Sequence, residues 1–327
     1  MHAIRQHAFG PAENLRYEEV PDPVPADDQV RIAVEAAGVH LIDTSIRRGE
    51  SAGPYPLPTL PMTPGREVAG RVDAVGPGVD GGWVGRRVVA HLGMASGGYA
   101  AKAVTTVTSL HEIPDHLSAE AAVAMIGTGR TAMGILEIAD LTAKDVVLVT
   151  AAAGGLGSLL IQAARHVGAD VVGVAGGAGK AEQARRQGAT VAVDYLSVDW
   201  PDHVRAALGD RSVTVVLDGV GGDAGRAAFD LLGPGGRVVM YGWASGRALE
   251  ITSGDLYARG LSATAALGPR MLQRPGGLHE LETRAIEEAA AGRLVPLVGQ
   301  TFPLADAAAA HTALETRATM GKVVLIP

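Results

Sequence analysis

The sequence predicts an α/β chain: a doubly wound, six-stranded parallel sheet joined to a discontinuous, partly open β-barrel. Three observations carry this. Apolar β-branched runs recur near Val146, Val171, Val191, Val213, Val238 and Leu261, at spacings of 25, 20, 22, 25 and 23 residues. Segments of helical composition, such as Ala181–Gln187 and Ala224–Leu232, fill the gaps, the mark of alternating strands and helices in one parallel sheet. Before Ser118 the texture is different, with short alternating runs broken by turn residues. The 327 residues suit two domains, and 44 glycines, about 13 % against a usual ~7 %, supply tight turns and close backbone approaches.

In chain order, Gln29–Val39, Glu67–Gly76 and Arg86–Leu92 alternate as strands, and a short helix is expected over His40–Arg48. On that helix Asp43 and Arg47 have the i, i+4 spacing of an ion pair. Pro54, Pro56, Pro58, Pro61 and Pro64 make a loop too rigid for a regular element. These features read as a partly open barrel. Ser118, three residues before Ala121 in an alanine-rich run, suits a helix N-cap. Val146–Ala164 is uncharged and nearly as long as a membrane-spanning helix. Gly154, Gly155 and Gly157 interrupt it, however, and its order of β-branched, small and helical residues reads as strand, turn and helix. Six such units fit a dinucleotide-binding sheet. Beyond Gly268 come a loop, a charged helix (Leu278–Ala291), a second helix (Ala305–Thr316) and a terminal strand, with no seventh repeat. This tail is expected to rejoin the first domain, giving a barrel domain of 1–120 and 268–327 and a dinucleotide-binding domain of 121–267.

Composition narrows the function. With no cysteine there are no disulfides, thiolate metal sites or cysteine nucleophiles. A net charge of −7 and 4 % aromatic residues argue against nucleic acid as a partner. The first residues, MHAIRQHAFG, lack an apolar signal-like core, so a cytoplasmic protein without a membrane partner is expected.

The chemistry concentrates in Ala151-Ala152-Ala153-Gly154-Gly155-Leu156-Gly157, directly after the first repeat strand and before a helix. A pyrophosphate needs inward-pointing N–H groups, no obstructing Cβ and a helix N-terminus behind it. Gly154 and Gly155 remove the side chains, and Gly157 lets the helix approach the strand. The second strand ends in Val174-Ala175-Gly176-Gly177-Ala178-Gly179, without the acid that usually accepts from an NAD ribose. Lys180 follows at once, with Arg185 and Arg186 a turn later. Missing acid plus nearby cations favours the 2′-phosphate of NADP(H), an ordinary solvated helix face being the alternative.

These stretches, with GVHLIDTSIRRG (Gly38–Gly49), TPGREVAG (Thr63–Gly70), VDY (Val193–Tyr195), GPGGRVVMYG (Gly233–Gly242) and TRATMGKVVLIP (Thr316–Pro327), resemble the zinc-independent medium-chain dehydrogenase/reductases of the quinone oxidoreductase (zeta-crystallin-like) type over essentially the full length. The resemblance implies a GroES-like substrate domain, a Rossmann cofactor domain, NADPH in a cleft between them and a homodimer. By position it assigns Lys180 and Tyr195 to the 2′-phosphate and adenosine side, with Gly176 beside them. Thr131, Tyr241, Gly242 and Ser245 fall to the nicotinamide end, Val220 joins the cofactor set, and Arg317 reaches the phosphates. Tyr195 as a strand cap and Arg317 as a surface partner of Glu315 remain alternatives.

Zinc-dependent relatives bind their catalytic metal with two cysteines and the histidine of a Gly-His-Glu motif. Here that motif reads Gly65-Arg66-Glu67, and arginine is a poor metal ligand. No metal is expected, and His40, His91 and Glu67 are read as hydrogen-bonded groups of the barrel. Without a Lewis acid, a quinone or an α,β-unsaturated carbonyl is the fitting acceptor, because conjugation carries the incoming charge to oxygen. Enoyl or 2-alkenal reduction in a biosynthetic pathway, and a low-turnover NADPH-binding sensor or structural protein, are the competing functions. On the short helix, relatives commonly carry asparagine at His40 and tyrosine at Ser45. The shorter Ser45 widens the pocket. His40 either donates to the substrate oxygen or nicotinamide ribose, or only bonds the barrel.

Overall fold

The computed structural model describes residues 1–50, 56–93 and 96–327, so Pro54 of the proline-rich stretch lies outside it. The chain divides into two units, 1–130 with 282–327 and 131–281. Both divisions fall inside continuous helices, later in the chain than the expected 120 and 268.

In the first unit, β1 (His2–Gln6) pairs antiparallel with β2 (Leu15–Glu19). The main sheet follows with β3 (Gln29–Val39), helix α1 (Leu41–Arg48), β4 (Glu67–Val75), β5 (Arg87–His91), β6 (Lys102–Thr106) and β7 (Leu110–Glu112). Along the first half of β3, inward Val30, Ile32 and Val34 alternate with Gln29, Arg31 and Ala33, the period-2 pattern of a strand covered on one face. Helix α2 (Ala119–Ile126) begins as expected: the Ser118 hydroxyl accepts from the Ala121 N–H at 3.1 Å.

Helix α3 (Thr128–Ala139) leads into the second unit. Its sheet comprises β8 (Val146–Thr150), β9 (Asp170–Ala175), β10 (Val191–Asp194), β11 (Val213–Asp218), β12 (Leu232–Met240) and β13 (Ser262–Ala265). Between and beyond them run α4 (Gly155–His166), α5 (Ala178–Arg186), α6 (Trp200–Leu208), α7 (Gly222–Asp230), α8 (Ser253–Arg259) and α9 (Pro269–Leu272), before α10 (Gly277–Ala290) returns the chain. The order β10-β9-β8-β11-β12-β13 is entirely parallel, the doubly wound arrangement expected from the six repeats. β8 is buried at every residue, so Val146–Ala164 is a central strand, a turn and a helix. Among the described residues no single helix is long and apolar enough to cross a membrane.

The tail completes the first unit with β14 (Val298–Pro303), α11 (Ala307–Glu315) and β15 (Lys322–Ile326). The order β14-β15-β3-β4-β5-β7, with β6 also on β3, inserts the last strand next to the first long one. β14 escaped the sequence reading because Gly299, Gln300 and Thr301 are exposed and give no apolar alternation. Ile4, Ile32, Val68, Val88 and Leu325 anchor this unit's core, while Leu148, Val172, Val216 and Phe229 anchor the other.

Candidate active site

In the second unit the strand ends converge. Ala151, at φ 49°, turns the chain out of β8 in the left-handed region that usually falls to glycine. Gly154 then occupies the N-cap of α4 without any side-chain cap, leaving the first-turn N–H groups for an anion. A Cβ on Gly157 would lie 2.4 Å from the Ala151 carbonyl oxygen, so glycine is required where helix meets turn. The buried carboxylate of Asp218 accepts from the Thr150 hydroxyl at 2.8 Å and from the Val220 and Gly221 N–H groups at 3.0 and 3.1 Å. The Tyr241 hydroxyl donates to the Thr150 carbonyl at 3.4 Å, and the Ser245 N–H to the Val220 carbonyl at 2.9 Å. Burial pushes the Tyr241 phenol well up, so it remains a donor. Val220, Tyr241 and Ser245 are thereby linked to the end of β8, and Gly242 follows Tyr241 directly in the chain. The organising pair Thr150–Asp218 had no motif to announce it.

At the end of β9, a Cβ on Gly176 would meet the Tyr195 hydroxyl at 3.2 Å, so these two residues adjoin. Asp194, from β10, supplies an acid the sequence did not reveal here. Its Oδ1 accepts from Gly177 and Leu196 N–H groups at 2.7 and 2.9 Å, which commits it to the backbone. Lys180 sits in the first turn of α5. Arg185 and Arg186 pair with Glu182 at 3.0 and 3.4 Å on an exposed face, which makes them part of a solvated surface. Thr131 lies in the first turn of α3.

The first unit gathers charge instead. Because β15, β3, β4 and β5 are successively antiparallel, Lys322 at the start of β15, His40 just past β3, Glu67 at the start of β4 and His91 at the end of β5 share one end of the sheet. Lys322 Nζ donates to Glu67 Oε2 at 2.7 Å and lies 2.8 Å from His40 Nε2. His40 Nε2 is 2.6 Å from Glu67 Oε1. The Glu67 side chain is fully buried, in space that Gly38 and Gly127 leave: a Cβ on either would come within 2.1 or 1.7 Å of its oxygens. Burial would raise the Glu67 carboxyl, but His40 and Lys322 hold it well below the ordinary range. Burial pulls the Lys322 ammonium down, with Glu67 opposing. Burial and the Arg130 guanidinium bring His91 to about 3, so it is neutral at physiological pH.

A second branch begins at Asp43, which accepts from the His40 N–H at 2.9 Å and the Tyr99 hydroxyl at 3.1 Å and pairs with Arg66 at 3.3 Å. The Tyr99 hydroxyl also meets His311 Nε2 at 3.2 Å. The phenol has one proton and gives it to Asp43, so His311 donates through Nε2. The expected Asp43–Arg47 pair does not form. Asp43 turns toward the helix N-terminus, while Arg47 Nη2 reaches Glu315 on α11 at 2.5 Å. Arg48 binds Glu315 too, and Arg317 follows just after α11 at φ 57°. The Ser45 hydroxyl accepts from Arg48 Nη2 at 3.1 Å, so Ser45 and His40 belong to different networks.

This donor set does not fit zinc. The Arg66 guanidinium and the Lys322 ammonium stand among Asp43, Glu67 and His40, each paired with a carboxylate that a metal would need. The bare N-terminus of α4 and the glycine turn do fit a dinucleotide's phosphates.

Comparisons with known proteins match both regions of the chain. The alcohol dehydrogenase GroES-like domain family matches residues 26–115, and the zinc-binding dehydrogenase family matches residues 155–287. A 2-haloacrylate reductase from a Burkholderia species is 34 % identical over 98 % of this chain and 97 % of its own. A quinone oxidoreductase of Salmonella typhimurium is 34 % identical over 99 % of both. The crystal structure of Escherichia coli quinone oxidoreductase complexed with NADPH superposes with a TM-score of 0.88 at 32 % identity, covering both chains completely.

Proposed function

The chain belongs to the quinone oxidoreductase family of the medium-chain dehydrogenase/reductases, and we propose that it reduces the conjugated carbon of a quinone or an α,β-unsaturated carbonyl compound. It is an NADPH-dependent oxidoreductase. The observation that carries the choice of acceptor is the pair of cations, Arg66 on Asp43 and Lys322 on Glu67, standing where a metal would need free carboxylates. An acceptor reduced here must stabilise its own developing charge. Quinones and 2-haloacrylates, named for the relatives above, both place a carbon–carbon double bond in conjugation with a carbonyl. A carboxylate-bearing enoyl substrate is therefore the second reading, supported by the haloacrylate-reducing relative.

NADPH supplies the hydride when bound. The N–H groups of Ala153 to Gly157 hold its pyrophosphate, Lys180 and Tyr195 with Gly176 hold the 2′-phosphate and adenosine, and Arg317 adds a cation for the phosphates. Thr131, Val220, Tyr241, Gly242 and Ser245 orient the nicotinamide. His40 donates to the oxygen that gains charge, and Ser45 contributes space alone. Dependence on NADPH supports a cytoplasmic location. The open edge of β13 supports a homodimer through pairing of like strands about a two-fold axis.

The test is NADPH oxidation with quinones, enones, enals, acrylates and saturated aldehydes, with and without EDTA. Turnover of the conjugated compounds, insensitive to EDTA, is expected. Turnover of saturated aldehydes alone, or dependence on added zinc, would refute the reading. Tight NADPH binding without turnover of any acceptor would favour a sensor. Sedimentation at micromolar concentration checks the dimer.

A further inference from the structure

The end of the second strand is where a doubly wound sheet receives the adenosine ribose, with an acid for a 2′-hydroxyl or a cation for a 2′-phosphate. β9 is that strand and ends without an acid, but the strand beside it supplies one. Asp194 lies opposite Ala175 in the parallel register of β10 and β9, and the Tyr195 N–H donates to the Ala175 carbonyl at 3.0 Å. Asp194 Oδ1 accepts from the Gly177 N–H at 2.7 Å, across the turn that opens α5, and from the Leu196 N–H at 2.9 Å. The carboxylate therefore stands one residue from Tyr195 and against the turn that leads from Gly176 to Lys180. The side chain is partly exposed, and among the described residues Oδ2 takes no hydrogen bond and Asp194 joins no ion pair. A Cβ on Gly177 or Gly179 would meet nothing within 4 Å, so this side of the turn is open. An asparagine would offer its own oxygen to the same two N–H groups, so the shape of the turn does not call for a charge.

We propose that Asp194 is a specificity-determining residue for the cofactor, and that its charge restrains the preference for NADPH over NADH. The proposal rests on the reading of Gly176, Lys180 and Tyr195 as the 2′-phosphate end. Toward NADH, the open lone pairs of Oδ2 accept from a ribose hydroxyl, the service an acid ordinarily performs at this corner of the sheet. Toward NADPH, the same carboxylate meets a phosphate carrying nearly two negative charges, and like charges repel. Lys180 attracts that phosphate and Asp194 opposes it, so the net preference is smaller than the cation alone would set. Both backbone bonds use Oδ1. The charge can therefore be removed while the oxygen that shapes the turn is kept.

Fluorescence titration with NADPH and NADH at low salt gives the ratio of their dissociation constants, a readout that needs no turnover. In Asp194→Asn the NADH-to-NADPH ratio of Kd should rise about 10-fold, chiefly through tighter NADPH. Asp194→Ser, whose hydroxyl also accepts from the backbone two residues on, is a second uncharged variant and should move the ratio the same way. In 1 M salt, where the screening length is ~3 Å, the shift should shrink to about twofold or less. A role confined to shaping the turn would weaken both cofactors alike and leave the ratio unchanged in both variants, which would overturn the proposal. A shift that persists undiminished in 1 M salt would overturn it too. Lys180→Ala separates the proposal from the reading beneath it. If that variant lowers the ratio while neither Asp194 variant moves it, the subsite stands and the role of Asp194 falls. If the Asp194 variants raise the ratio and Lys180→Ala leaves it unchanged, the Lys180 assignment falls and the role of Asp194 stands.

Discussion

At the strand ends of the second unit, the polar groups offered to a ligand are backbone N–H groups shaped by glycine. In the first unit they are side-chain charges buried out of water and held against one another. The backbone cradle is cheap to maintain, since its N–H groups are the unsatisfied ones every helix start leaves. The charge network is costly, because each ion needs its partner in place. The units should therefore respond differently to substitution.

The sharpest break of this contrast is Glu67→Ala, which strands Lys322 without its carboxylate. A loss of about 3–5 kcal/mol is expected in urea unfolding, as for other broken buried pairs, with E67Q/K322M recovering most of it. A loss below ~1 kcal/mol would mean that water already compensates the network. Next comes acid. Burial holds His311 near 4 and His91 near 3, both below their ordinary 6.5. The unfolded chain takes up these protons first, so stability present above pH 6.5 is lost as pH falls toward 4 and then 3. The loss is roughly 3 kcal/mol for His311 alone. Unfolding midpoints at pH 7, 5.5 and 4.5 should show this slope, and His311→Asn should flatten it.

The cradle should respond through binding. In Gly157→Ala the new Cβ would sit 2.4 Å from the Ala151 oxygen and 2.9 Å from the Ala152 Cα. The helix start must shift, at about 1–3 kcal/mol, and NADPH affinity by fluorescence titration should fall at least ~10-fold. The smallest pair of effects separates two cations on one helix. Lys180→Ala should weaken NADPH about 10-fold and leave NADH unchanged, as loss of a charge-assisted phosphate contact requires. Arg185→Ala should stay within about twofold, since that side chain is already spent on Glu182.

The same contrast explains what could be read beforehand. The glycine turn, the six repeats and the Ser118 cap are short-range patterns, set within a few residues. Glu67 and Lys322 are 255 residues apart, Arg47 and Glu315 are 268, and Tyr99 and His311 are 212. No period or spacing marks such pairs. The local rule for i, i+4 charges consequently joined Asp43 to Arg47, where tertiary partners win. His40 stands out only because relatives carry asparagine there, and its partner Lys322 is on a strand that arrives from the far end of the sequence.

That late arrival also has a consequence during protein synthesis. β3, β4 and β5 leave the ribosome long before β15, and at about 5–20 residues per second the 255 residues between Glu67 and Lys322 take roughly 13–50 s to make. For most of that interval the glutamate lacks its ammonium, and the sheet lacks the neighbour that covers β3 at Gly38 and Val39. The second unit's sheet is translated wholly inside this delay and needs nothing from β15. The nascent chain should thus present a finished cofactor half beside an open sheet edge, and a chaperone's opportunity lies at β3.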